Sequence, residues 1–231
     1  MRERTIKTLM IAYVSLFGAL LFDGVAWPTH QVNIYGISYY LVHLKTFVPL
    51  ALGFLICIAL VVHVGRSLPR KEQPLAILRV SFFSIGVLMA GIMLTPYTWG
   101  TFFNWAHMTL GALLFVLQLG VSIWVTLRFV RSSLNWTMIV IQFVGGLLAM
   151  FSLPDNGINV LMQGEVIFQF GFAILLLNSI ASLFDDTSTT QPARRGDGVS
   201  LAVSLPDGDR ERVRDVRTRT TRLSSMHSAR R

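Results

Sequence analysis

Cysteine is nearly absent from this chain: Cys57 stands alone inside an apolar run. A single thiol excludes both a disulfide framework and a cysteine zinc cluster. Lysine is almost as scarce, at 3 residues against 17 Arg. Charge of either sign is missing from long stretches, and Asp, Glu, Lys and Arg together make up only 14% of the 231 residues. The five histidines show neither an H-x-x-x-H nor an H-E-x-x-H spacing, so no compact metalloenzyme signature is present.

Hydrocarbon fills the space that charge leaves. The chain is 53% hydrophobic with a mean hydropathy of +0.58, values a soluble domain of this length hardly tolerates. A bilayer core of roughly 30 Å needs about 20 apolar residues at about 1.5 Å of rise each. Six stretches meet that length: Thr8–Trp27, Thr46–Val64, Leu75–Thr95, Trp105–Leu127, Trp136–Leu153 and Gln163–Phe184. They are continuous, whereas a barrel would show alternating segments of about ten residues, so helices are predicted. The expected fold is an all-α, polytopic six-helix transmembrane bundle over residues 1–184, embedded in a lipid bilayer.

Basic residues near helix ends set the orientation. Arg2, Arg4 and Lys7 precede the first span, Arg66, Arg70 and Lys71 follow the second, Arg79 lies just inside the third, and Arg128 and Arg131 follow the fourth. The alternate loops, 28–45, 96–104 and 154–162, hold only Lys45 among basic Lys and Arg residues. Both termini are therefore predicted in the cytoplasm and the protein in the cell (inner) membrane. Trp27, Trp99, Trp105 and Trp136 fall at or near span ends, at headgroup level. The first span imitates a secretory signal, with a basic start and small residues at Gly24 and Ala26, but bulky Trp27 and Pro28 follow. Cleavage there would leave the other five orientations unchanged.

The net charge of +8 does not imply a nucleic-acid partner, because half of the 20 basic residues lie in the last 38 positions and most others set topology. Residues 187–231 hold ten Arg and no Phe, Tyr or Trp, too little apolar surface to fold alone. Residues 185–231 are thus expected to form a disordered cytoplasmic tail. Its Arg212, Arg214, Arg217 and Arg219 could contact anionic lipid at about 1 kcal/mol per basic residue near the surface. Other membrane proteins are the remaining class of partner.

Helix association in lipid relies on small residues and polar contacts. Ala12, Ser15 and Ala19 share the face that carries Asp23, while Gly86 with Ala90 and Gly145 with Ala149 make short small-residue stripes. Gln118, Gln142, Gln169 and Asn178 are amides within spans, each expected to find an interhelical partner worth about 0.6 kcal/mol.

One polar layer stands out near the end expected outside the cell. Asp23 closes the first span, His43 and Lys45 open the second, Trp105 and His107 open the fourth, and Glu165 opens the sixth; Asp155 and Asn156 precede it. Ionisable groups inside spans are costly and usually face protein or water. His107, Gly111, Leu114 and Gln118 share one helix face, as do Glu165 and Gln169. Such a layer can be an ion-pair and hydrogen-bond network, with Asp23 held by Lys45 or a histidine. It can also bind a lipid headgroup or small polar ligand, with Trp27, Tyr97, Trp99 and Trp105 as an aromatic rim. An enzyme could instead use His43, His107, Asp23 and Glu165 to hold a divalent metal and activate water. His43 and His107 lie at similar depth for a single haem, while His63 sits about 30 Å away along its helix. A small transporter is the remaining class, although inverted repeats and broken helices are not evident. A structural, accessory or ligand-binding role is expected ahead of an enzymatic one; no catalytic residue is assigned and no cofactor is favoured.

A first loop bearing Pro28, Ile37 and Ser38, a short aromatic loop Thr95-Pro96-Tyr97-Thr98-Trp99, and Asn104-Trp105-Ala106-His107 opening the fourth span carry a family resemblance. In arrangement over residues 1–184 the chain resembles the six-span superfamily of bacterial membrane proteins of unknown function and eukaryotic Frag/DRAM/Sfk-type membrane proteins. The resemblance implies a six-span fold and supplies no agreed catalytic residues.

Overall fold

A computed structural model describes residues 2–70, 73–152 and 158–189. Lys71, Asp155, Asn156 and the arginine-rich tail lie outside the described residues. Among the described residues the regular secondary structure is helical, with no strands. Its long helices are α1 (Arg2–Ala26), α4 (Leu44–Ser67), α5 (Gln73–Leu94), α6 (Thr101–Arg128), α7 (Ser133–Phe151) and α8 (Leu161–Thr189), with two short helices, α2 (Val32–Tyr35) and α3 (Ser38–Val42), in the first long connection. Six helices among the described residues are long and apolar enough to cross a bilayer, and the protein is a multi-pass membrane protein.

Local chemistry sets the helix ends. Pro28 disfavours helical geometry at Trp27, so α1 stops at Ala26. Pro96 stops α5 in the same way, and the Thr95 hydroxyl donates back to the Gly91 carbonyl at 2.8 Å. Gly100, at φ 113°, lets the chain reverse between a 3₁₀ turn at Tyr97–Trp99 and the start of α6. Ser132 caps α7 by accepting the Asn135 N–H at 3.1 Å. The helices begin a few residues before the apolar stretches, because backbone hydrogen bonding runs on through the polar flanks. Residues 28–45, expected as a loop, contain α2 and α3 instead. Four or five residues are too few to display a helical period.

Each long helix packs on its neighbours in the order α1, α4, α5, α6, α7, α8, with α8 returning to α1. The closest pairings are α7 with α8 and α1 with α4. Glycine makes both possible. A Cβ on Gly164 would lie 2.5 Å from the Ala149 backbone nitrogen, one on Gly145 would lie 2.6 Å from that of Phe168, and one on Gly53 would lie 2.6 Å from the Ala19 Cβ. The small-residue faces Ala12/Ser15/Ala19 and Gly145/Ala149 therefore point inward, as does Gly86, whose missing Cβ would meet Val62 at 2.6 Å.

Each amide in the spans has a partner on another helix. Gln118 and Gln169 exchange two hydrogen bonds at 3.1 and 3.0 Å, the Ser122 hydroxyl donates to Gln142 at 3.0 Å, and Asn178 donates to Asn135 at 2.9 Å. The outward faces are apolar: Val14, Leu21, Val87 and Val116 are each 67–70% exposed. In water such a belt would be an aggregation surface; in a bilayer it faces acyl chains.

Candidate functional site

The ends of α1, α5 and α7 and the starts of α4, α6 and α8 gather at one end of the bundle, together with α2, α3 and the 3₁₀ turn. The opposite end carries Arg66, Arg70, Arg128 and Arg131. From the loop end a cavity of about 550 Å³ descends between the helices. Along α6 its lining runs from Asn104 to Leu119, a depth of about 22 Å at about 1.5 Å per residue. Leu16, Leu20, Phe54, Met89, Phe115, Leu119, Phe143 and Phe168 make its walls apolar. The polar lining at the loop end consists of Tyr35, Ser38, Tyr97, Asn104, His107 and Glu165, with Gln142 and Gln169 deeper.

Two hydrogen bonds fix His107 between α3 and α5. Its Nδ1 lies 2.8 Å from the Thr95 carbonyl oxygen and its Nε2 lies 2.7 Å from the Ser38 Oγ. A carbonyl only accepts, so Nδ1 carries a proton; in the neutral ring Nε2 is then the acceptor and the Ser38 hydroxyl donates to it. Asn104, His107, Met108 and Gly111 all line the cavity, at the i, i+3, i+4 and i+7 spacing of one helix face.

Glu165 meets the turn between α2 and α3. The Ile37 N–H donates to its Oε2 at 2.7 Å. Gly36 makes room for the carboxylate: it has φ 67°, and a Cβ there would stand 2.5 Å from Oε2. Two residues earlier on α8, Gln163 donates to Asn33 of α2 at 2.9 Å. The segment Gly36-Ile37-Ser38 is thus held from α8 on one side and from α6 on the other. Tyr35 stacks on Tyr97 at 5.4 Å and on Tyr39 at 6.3 Å, and Tyr39 stacks on His43 at 3.9 Å, so a row of rings crosses this end of the bundle. Burial, and then Tyr35 and Tyr39 beside it, push the Tyr97 phenol up to about 12.

The predicted polar layer is only partly assembled. His107 and Glu165 share the cavity. Asp23 is fully buried, but neither carboxylate oxygen has a hydrogen-bond partner among the described residues. The expected pairing of Asp23 with Lys45 or a histidine is therefore not formed. Lys45 is exposed in the first turn of α4, and His43 is turned onto Tyr39, whose carbonyl lies 2.7 Å from its Nδ1. Asp23 lies instead near Tyr40, whose phenol is pushed upward by burial, by the Asp23 charge and by Tyr39. Trp105 is 66% exposed and lines no part of the cavity, because it falls on the face of α6 opposite to His107. Of the expected aromatic rim Trp27, Tyr97, Trp99 and Trp105, only Tyr97 lines the cavity.

The metal candidates do not converge either. Among the described residues no group of three or more His, Cys, Asp or Glu side chains is placed to hold an ion, because His43, His107, Asp23 and Glu165 have separate surroundings. The haem pair is likewise not formed: His107 has both ring nitrogens hydrogen-bonded inside the cavity, whereas His43 is exposed outside it. Sequence reasoning missed the role of Ser38, Gly36 and Tyr35. The available signal was a glycine with a hydroxyl residue two places later in a long, nearly cation-free loop, too short a pattern to single out unaided.

No protein-family model matches this chain, and no curated protein or solved structure matches it.

Proposed function

We propose that this membrane protein binds one amphipathic lipid, with its acyl chain in the cavity and its polar, ester-bearing end among Ser38, His107, Asn104 and Glu165. The observation that carries this reading is a single cavity of about 550 Å³ with apolar walls and a polar group of side chains at one end. Pockets of this size, apolar with few convergent polar groups, suit small amphiphiles. A solely structural layer would leave no such volume beside its polar residues.

The bundle is proposed to lie in the cell membrane with both termini cytoplasmic. The arginines at one end and the near absence of basic residues at the other support this orientation. The cavity would then open toward the outer leaflet. The arginine-rich segment around Arg212 to Arg219, outside the described residues, has the charge to contact anionic headgroups. The Frag/DRAM/Sfk-type resemblance belongs to the same proposal. Its support is the sequence arrangement over residues 1–184 alone.

Gly111 gives a direct test. It lines the cavity, and a Cβ added there meets no atom within 4 Å, so the side chain of Gly111→Leu would start in open space and take up part of the cavity. Native mass spectrometry of the detergent-solubilised protein should show one co-purifying lipid per chain, and the variant should lose about nine-tenths of it at an unchanged melting temperature. Equal lipid occupancy in both proteins would refute the reading.

A further inference from the structure

We infer that Ser38 and His107 form a nucleophile and general-base pair that transfers the acyl group of a lipid ester bound in this cavity; the inference rests on the lipid-binding reading above. Three observations point to it together. The Ser38 Oγ is 2.7 Å from His107 Nε2, within the range for proton transfer between nucleophile and base. The Thr95 carbonyl at 2.8 Å holds the other ring nitrogen as the donor, which leaves Nε2 as the lone-pair nitrogen that a base requires. Both side chains line the apolar cavity, so a bound ester would meet them there rather than in bulk water.

The roles match a serine, a histidine and a third group that orients the ring, with a backbone carbonyl in place of the usual carboxylate. Glu165 is a positioning residue: it does not hydrogen-bond His107 but accepts the amide of Ile37, the residue before the nucleophile. Asn104 lines the same cavity, and its amide hydrogen-bonds no group among the described residues, so it is a donor available to a developing oxyanion.

In the first step Oγ bonds to the ester carbonyl carbon while its proton passes to His107 Nε2. Collapse of the tetrahedral species breaks the bond to the alcohol oxygen, which leaves with the proton from Nε2. The products are an acyl ester on Ser38 and a free alcohol. Water, or the hydroxyl of a second lipid, then attacks the acyl carbon and gives its proton to Nε2; release of Oγ takes that proton back. The sum is hydrolysis, or transesterification to a lipid alcohol, with no oxidant or reductant required.

The test uses the full chain in phosphatidylethanolamine and phosphatidylglycerol vesicles. A long-chain alkyl fluorophosphonate should label the wild-type protein covalently, with the adduct mapping to Ser38, and a fluorogenic phospholipid ester should be cleaved. Ser38→Ala should abolish both signals, and His107→Gln should slow both by about 100-fold or more, the range for loss of a general base. Ser38→Cys serves as the second variant: it should restore covalent capture, now by a maleimide-bearing lipid analogue. Label at another residue, or cleavage by Ser38→Ala at the wild-type rate, would overturn the inference. A wild-type protein that co-purifies with lipid yet neither labels nor cleaves the ester would overturn acyl transfer and leave lipid binding standing. Loss of the lipid-binding reading itself is seen separately, through Gly111→Leu.

Discussion

Gly36 and Glu165 illustrate how single residues shape the site. The carboxylate sits where a side chain on residue 36 would begin, and it satisfies the Ile37 amide. Gly36→Ala is expected to cost about 1–3 kcal/mol from the positive φ alone, with further loss as Glu165 is pushed away, and thermal unfolding in detergent measures it. Glu165→Gln keeps a carbonyl oxygen for the amide and should retain most of the stability that Glu165→Ala loses, since an unpaired buried N–H costs about 1–3 kcal/mol. Equal melting temperatures for the two Glu165 variants would show that the contact does not hold the turn. Asp23 behaves differently. It is fully buried with no partner for either oxygen among the described residues, so Asp23→Leu should melt at the wild-type temperature or above it; a marked drop would restore the ion-pair reading. Asp23 and Glu165 stand out equally in the sequence as charges at the ends of apolar spans. Their different fates depend on which neighbour each meets, and that information is not local.

At the scale of helices, the seam between α7 and α8 brings backbone against backbone. A Cβ on Gly164 would stand 2.5 Å from the Ala149 nitrogen and 2.7 Å from the Gly145 oxygen, and neither atom is a side-chain end that can turn away. Gly164→Ala should therefore separate the helices and lower the melting temperature, whereas Gly120→Ala, with nothing within 4 Å of the new methyl, should be neutral or slightly stabilising. Indistinguishable melts for the two variants would argue against a close seam. Much of this level is legible in advance: Gly145 and Ala149 are four apart, and Gln118 lies eleven residues beyond His107, so their facing directions follow from the helical period. The short helices α2 and α3 are not legible, because they are set by what packs on them, including the Thr46 hydroxyl that donates to the Tyr40 carbonyl at 2.9 Å.

For the whole molecule, the arginines are the basis on which the cavity is proposed to open away from the cytoplasm. Cys57 is only 1% exposed, so the chain is nearly silent to thiol reagents and suits single-cysteine labelling. Leu44→Cys, at a position 88% exposed beside the cavity end, should react with a membrane-impermeant maleimide added to intact cells, and Arg70→Cys should react only after lysis. The opposite pattern would turn the cavity toward the cytosol. The number of membrane-length helices and the inward small-residue faces were determined by the sequence, because they depend on runs of apolar residues and on a fixed period along one chain. Trp105 and His107 mark where that determination ends: two residues apart at one helix start, they face outward and into the cavity respectively. The pairing of Ser38 with His107 across 69 positions, the fit of Glu165 against Gly36, and the empty volume between them were decided by the tertiary structure. Each is a distance between atoms on different helices, set by how closely glycine and alanine let those helices approach.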